Sequence, residues 1–323
     1  MPRPVLVTGA AGFVGGHLID ALRAEGHLVA AWARPATRPA FEPDRAAALW
    51  RDVELLDARA VREALAELTP AVIYHCAGAA HVAESWQATA ATLEINVIAT
   101  HHVLEGDRTL GLGARILVPG SAAVYRAADE PLAESSPIGP ASPYAVSKLA
   151  QEQLAVRAAR EGQHVLVTRS FNHIGPRQAP SFAAASFARQ IARIERGLEA
   201  PMLQVGNLNA QRDLTDVRDT VKAYMALVQV GRPGLVYNVA SGVARSMREV
   251  LDALRRRATC DVAVEIDPAR YRPNDAPVVV GDAGRLREDT GWQPAIPFER
   301  TIDDLLQFWR EATRHDPPSP PAS

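Results

Sequence analysis

Cysteine is nearly absent: Cys76 and Cys260 are the only two in 323 residues, and they lie far apart. Neither a disulfide framework nor a cysteine metal site is expected from that pair. Net charge is almost absent too. Thirty-five Lys plus Arg against 37 Asp plus Glu leave -2, no field for holding a nucleic acid or an anionic membrane. Long apolar runs are missing, and none approaches the roughly 20 residues that a membrane span needs. A strand is read from Val5, leaving no room for a signal peptide, so the expected location is cytoplasmic. The 47% apolar and 22% charged residues exclude a disordered or collagenous chain. At about 150 residues per domain, the length suggests roughly two domains.

What is present is rhythm. Val5-Leu6-Val7 reads as a short buried strand running into Thr8-Gly9-Ala10-Ala11-Gly12-Phe13-Val14-Gly15. Val14, Leu18, Ile19 and Leu22 then recur at helical spacing, and Gly26 ends the helix. Further strands are read at His27 to Trp32, Ala71 to His75, Arg115 to Pro119 and Val165 to Thr168. Val61 to Leu68, Leu93 to Glu105 and Pro143 to Glu161 read as the helices between them. Strands alternating with helices predict an α/β fold with a doubly wound, Rossmann-type parallel sheet, covered on both faces. After residue 170 the rhythm loosens. Helices are expected at Ala183 to Gly197, Asp219 to Val230, Ser246 to Arg257 and Phe298 to Arg310, with a strand at Leu235 to Val239. The expected division is a dinucleotide-binding domain over 1–171, to which 214–240 returns. Residues 172–213 and 241–315 then form a smaller C-terminal α/β substrate domain, and 316–323, rich in proline, a loose tail.

Gly9-x-x-Gly12-x-x-Gly15 sits between a strand and a helix, where glycines let the backbone approach a pyrophosphate met by free helix amides. At the end of the second strand stands Arg34, with Arg38 nearby and no carboxylate. Arginine suits the 2′-phosphate of NADP, whereas an acid suits the ribose of NAD; the alternative is that both arginines are solvated loop charges. Tyr144 and Lys148, four apart, share a face of the helix that opens with Pro143. A nearby ammonium favours phenolate and so lowers the tyrosine pKa towards neutrality. Ser121, just past the Arg115 to Pro119 strand, is placed at the carboxyl edge of the sheet, where such folds bind ligands. Arg255-Arg256-Arg257 reads as a solvated helix end, and Tyr125 as packing. The nine histidines include no pair with an obvious carboxylate partner, so no metal site is expected.

Gly9/Gly12/Gly15, the Ser121 segment, Tyr144 with Lys148, and Arg169-Ser170-Phe171-Asn172 together resemble the extended short-chain dehydrogenase/reductase family over about residues 4 to 312. The resemblance implies a nucleotide-sugar substrate, with Tyr144 as acid/base, Lys148 on the nicotinamide ribose, and Ser121 on the reacting oxygen. It puts Phe13 and Val14 in the glycine turn, Glu54 and Leu55 at the adenine, and Ala77 among the cofactor contacts. Phe171-Asn172-His173-Ile174-Gly175-Pro176 and Val205-Gly206-Asn207-Leu208-Asn209-Ala210-Gln211-Arg212-Asp213 are similar to the GDP-mannose 4,6-dehydratase branch. Within it they look like the GDP-6-deoxy-4-keto-D-mannose reductases that form GDP-D-rhamnose. That implies substrate contacts from Asn172, Val205 and Asn207, and diphosphate contacts from Arg212 and Arg272. Arg212 has the alternative of pairing with Asp213 or Asp216. His173 either touches substrate or satisfies a buried carbonyl, and His81 to Trp86 are candidates for the sugar pocket. The family also implies a homodimer, paired through a four-helix bundle of the helices at Leu93 and Tyr144.

One departure decides the reaction. The dehydratases carry a glutamate two residues before the tyrosine of the Ser121 segment; here that position is Ala123, which cannot move a proton. Dehydration is excluded, leaving NADPH-dependent reduction of a GDP-4-keto-6-deoxy sugar at C4. The alternative is a nucleotide-sugar 4-epimerase with NAD, which Ser121-Ala122-Ala123-Val124-Tyr125 resembles.

Overall fold

The structure, a computed structural model, describes residues 3–35, 48–270 and 276–316. In chain order the first half runs β1 (Val5–Thr8), α1 (Phe13–Ala24), β2 (Val29–Ala33), β3 (Leu49–Asp52), α2 (Ala58–Leu68) and β4 (Val72–His75). Then come α3 (Val82–Gln87), α4 (Thr89–Leu93), α5 (Ala99–Leu110), β5 (Arg115–Ser121), α6 (Pro143–Arg160) and β6 (Val165–Ser170). The second half runs β7 (Asn172–Ile174), α7 (Ala183–Glu195), β8 (Met202–Val205), β9 (Gln211–Asp216), α8 (Val217–Val230) and β10 (Val236–Val239). It closes with β11 (Ala244–Ser246), α9 (Met247–Arg255), β12 (Ala263–Ile266), β13 (Val278–Val279), α10 (Gly284–Thr290) and α11 (Phe298–Ala312).

Among the described residues, seven parallel strands form one sheet in the order β10-β6-β5-β4-β1-β2-β3. Successive strand residues point to opposite faces, so an unbroken apolar run feeds two cores at once. Val5, Val7, Leu117 and Leu166 pack with Leu18 and Leu22 of α1 and Val221 and Leu227 of α8. Leu6, Ile116, Val118, Val165 and Val167 pack on the other face with Leu65 of α2, Val103 of α5 and Ala155 of α6. Each fully buried Leu, Ile or Val contributes about 1.5–3 kcal/mol, so these apolar stretches dominate the stability of the sheet. A third cluster joins Ile191 of α7, Leu203 of β8, Leu251 of α9 and Leu305 and Trp309 of α11. There β9 pairs with β7, β11 and β13, and β8 with β12. No helix among the described residues is long and apolar enough to cross a membrane.

Two elements differ from the sequence reading. β3 was not foreseen; it makes Arg115–Ser121 the fifth strand rather than the fourth. The single helix expected from Leu93 to Glu105 is instead α4, a π-helical turn over Glu94–Ile98, and α5.

Candidate active site

Because the sheet is parallel, every strand ends on the same edge, and six of the expected segments follow strand ends there. The glycine turn follows β1, Arg34 follows β2, Glu54 and Leu55 follow β3, Ala77 follows β4, Ser121 closes β5 and Asn172 begins just after β6. Gly9 has φ 64°, and a Cβ there would lie 2.6 Å from the Ala77 nitrogen; a Cβ on Gly15 would collide with the Gly9 carbonyl. Gly12 caps α1 without a side chain, and no acidic residue occupies its first turn, beside Phe13 and Val14. A glycine cradle closed against Ala77, under a helix N-terminus lacking any anion of its own, fits a pyrophosphate. Arg34 is exposed beyond β2. Glu54 accepts from the Leu56 amide at 3.1 Å, while Leu55 is buried with its carbonyl bonded to His102 Nδ1 at 2.8 Å. Arg38 and Arg272 lie outside the described residues.

Tyr144 is the second residue of α6, whose first turn is set by Pro143 and by Ser142, the cap that accepts from the Ala145 amide. Two further contacts fix it. The Tyr144 amide donates to Ser85 Oγ of α3 at 3.1 Å, and its carbonyl accepts from Ser147 Oγ at 2.7 Å. Ser147 in turn accepts from Asn96 at 2.8 Å, and Asn96 accepts from the Ala79 amide at 2.8 Å. Asn96 sits in the π turn and is its buried residue. Burial pushes the Tyr144 phenol above its ordinary range, while a hydrogen bond with Ser121 pulls the other way. Ser121 Oγ also accepts from the Ala123 amide at 3.2 Å.

Lys148 lies one turn along α6 from Tyr144. Lys148 Nζ donates to the Pro119 carbonyl and to Gln151 Oε1, each at 2.5 Å. Burial pulls the lysine down to about 8. Gln151 continues a buried chain: it donates to Thr100 Oγ1 at 2.7 Å, which lies 3.0 Å from His75 Nε2, whose Nδ1 lies 2.9 Å from Thr8 Oγ1. The Ala77 amide donates to that same Thr8 hydroxyl at 3.3 Å, joining the lysine to the glycine cradle.

Around the cleft, Asn172 is exposed and His173 is half-buried, its Nδ1 3.2 Å from the Phe171 carbonyl and its ring stacked 5.8 Å from Phe13. The carbonyl contact corresponds to the second of the two alternatives read for His173. His81 stacks on Phe182 at 4.6 Å. Asn207 Oδ1 accepts from the Asn209 amide at 3.0 Å, shaping its own turn. Arg212 Nη1 donates to the Gln211 and Ala276 carbonyls at 2.6 and 2.8 Å. Asp213 instead gathers Ser241, Gly242 and Gly281, and Asp216 takes Arg218 and Thr301. Val205 is the expected contact that the geometry turns away. Alternation along β8 buries Leu203 and Val205 together in the third cluster, and the Val205 carbonyl is taken by the Asp267 amide at 2.8 Å.

The sequence reading missed Asn96, Ser147, Gln151, Thr100 and His75; Ser85 lies within the His81 to Trp86 stretch read as a sugar-pocket candidate, without its part in holding the Tyr144 amide. Only His75, a polar residue closing an apolar strand, carried a visible local signal.

The GDP-mannose 4,6-dehydratase family profile matches residues 6–305. GDP-6-deoxy-D-mannose reductase of Pseudomonas aeruginosa is 37% identical over 320 residues, 98% of this chain and 100% of that protein. The solved structure of RMD from Pseudomonas aeruginosa complexed with NADPH superposes with a TM-score of 0.83 at 35% identity, covering 96% of this chain and 100% of that one. The UDP-glucose 4-epimerase of Thermus thermophilus, in complex with NAD, superposes with a TM-score of 0.83 at 30% identity, covering 96% and 99%.

Proposed function

The chain belongs to the GDP-mannose 4,6-dehydratase family, and from that premise we propose that it reduces the C4 ketone of a GDP-4-keto-6-deoxy sugar with NADPH, in the manner of GDP-4-keto-6-deoxy-D-mannose to GDP-D-rhamnose. The observation that carries this reading is Tyr144 in the first turn of α6 and Ser121 at the end of β5, with Ala123 where dehydration needs a carboxylate; burial favours the protonated form of the phenol. A ketone reductase must give a proton; an epimerase must first take one. NADPH, when bound, supplies the hydride that reaches C4. Tyr144 protonates the carbonyl oxygen, and Ser121 donates to that oxygen as charge develops. Lys148, poised by Pro119 and Gln151, holds the ribose and supports the proton transfer.

Gly9, Gly12, Phe13, Val14 and Gly15 hold the pyrophosphate, Arg34 the 2′-phosphate, and Glu54, Leu55 and Ala77 the adenosine and ribose side. Residues 1–171 with 214–240 form the cofactor half. Residues 172–213 with 241–315 form the sugar-nucleotide half, in which Asn172, His173, Asn207, Arg212 and Arg272 take the nucleotide and His81 borders the sugar. Bidentate arginines match diphosphate geometry, and the net charge of -2 gives the chain as a whole no strong competing field.

The purified chain is expected to consume NADPH in step with GDP-4-keto-6-deoxy-D-mannose, and not with UDP- or dTDP-linked ketosugars. Turnover of a nucleotide sugar with bound NAD and no net NADPH loss would favour the 4-epimerase, the reading that the Ser121 to Tyr125 segment and the Thermus thermophilus likeness support. The free thiols of Cys76 and Cys260 suit the reducing cytoplasm where this chemistry belongs. Two copies pair through α5 and α6 as a four-helix bundle, a role for the exposed Ile98 and Val146. Light scattering at the mass of a single chain would overturn that dimer.

A further inference from the structure

Helix α1 carries the glycine turn at its N-terminus, and one turn along it is gripped from the segment that follows Asn172. Arg177 holds a left-handed backbone, φ 70°, which a residue with a Cβ keeps only where its surroundings enforce it. Its guanidinium supplies the enforcement. Nη2 donates to His17 Nδ1 at 2.8 Å and to Asp20 Oδ2 at 2.6 Å, both on α1. Gly16 leaves room for it: a Cβ there would come within 3.4 Å of Nη1.

His17 answers with its other nitrogen, Nε2, 2.8 Å from the Pro176 carbonyl. A guanidinium only donates and a carbonyl only accepts, so the ring is neutral with its proton on Nε2. Burial and the neighbouring Arg177 hold His17 down to about 4, which keeps that arrangement throughout the neutral range. A second grip is aromatic. Phe13, the first residue of α1, stacks on His173 with centroids 5.8 Å apart and meets His17 edge-on at 5.5 Å. The helix that presents the cofactor cradle and the segment that presents Asn172 are therefore tied at two points.

We propose that Arg177 is a positioning residue which, with His17 and Asp20, couples occupancy of the cofactor site at α1 to occupancy of the sugar-nucleotide site at β7. This rests on the function proposed above. The first ligand fixes the tied segment, and the second then meets it already ordered, so each tightens the other by the same factor.

The test is titration calorimetry of NADPH into the full chain, with and without saturating GDP. In the wild-type protein GDP is expected to tighten NADPH by about tenfold, within the usual range of such couplings. Arg177→Gly keeps the left-handed backbone without strain and removes only the side chain. In it the ratio is expected to fall to about one, with NADPH affinity alone changed by less than about threefold. Arg177→Lys, which retains a cationic donor, should recover part of the ratio, as a merely structural role would not require. Asp20→Ala, at an exposed position, gives a second reading that does not depend on the folding of the first variant, and should also lower the ratio. A wild-type ratio of one, or an Arg177→Gly ratio equal to wild type, overturns the coupling alone. Failure of wild type to bind NADPH or GDP overturns the proposed function, and the coupling with it.

Discussion

Tyr144→Phe is expected to lower kcat by about 10²–10⁴-fold, the usual worth of a positioned general acid, while NADPH affinity stays within a few-fold of wild type. The substitution removes one hydroxyl from a side chain whose backbone is held independently, by Ser85 at the amide and Ser147 at the carbonyl. The helix therefore keeps its register, and the loss reads chemistry rather than collapse. A ring without its oxygen also leaves Ser121 bonded to the Ala123 amide but without its phenol partner. Single-turnover rates with NADPH and the GDP-ketosugar, beside calorimetric NADPH binding, separate the two effects. Wild-type kcat in the Phe variant would remove Tyr144 from the reaction. A parallel loss of NADPH affinity would instead make it a cofactor-site residue.

The scaffold for this experiment was largely legible in the sequence, because its signals are local. Val5–Val7 of β1, Ile116–Val118 of β5 and Val165–Val167 of β6 are buried on both faces and so read as unbroken apolar runs. Gly15 is fixed by backbone sterics within a seven-residue turn, and Gly9 by its left-handed backbone, φ 64°. Leu49–Asp52 escaped notice because it is an edge strand, mostly exposed, with no apolar run to announce it. The π turn at Glu94–Ile98, which holds the buried Asn96, escaped because one extra residue per turn barely disturbs a helical apolar pattern. Spacing put Lys148 on the same helical face as Tyr144; it could not show that Pro119 and Gln151 would claim the ammonium. The partners of Tyr144 and Arg177 come from positions 59 and 160 residues away, a separation that no periodicity reports.

Acidification is expected to weaken the fold well before its carboxylates titrate. His17 is held down to about 4 and His75 to about 3, in both cases chiefly by burial. A histidine depressed in the folded state contributes stability fully present above its unfolded pKa of about 6.5 and lost as pH falls towards the folded value. At pH 5 both rings stay neutral when folded but protonate when unfolded, costing about 2 kcal/mol each and about 4 kcal/mol together. His173, also lowered by burial, acts in the same direction. Lys148, pulled down to about 8, has exacted most of its cost by pH 7.5 and adds only a small slope of the same sign just below it. Asp213, raised by burial, opposes the trend only once carboxylates begin to protonate. For a chain of this size the melting temperature should fall by about 10 °C between pH 7.5 and 5, with a plateau above about pH 7. Scanning calorimetry across that range checks it, and His17→Gln, which titrates nothing, should flatten the slope by roughly half. An unchanged melting temperature at pH 5 would mean that the folded protein can protonate these rings, and that the His17 tie to Arg177 and Pro176 is not maintained in solution.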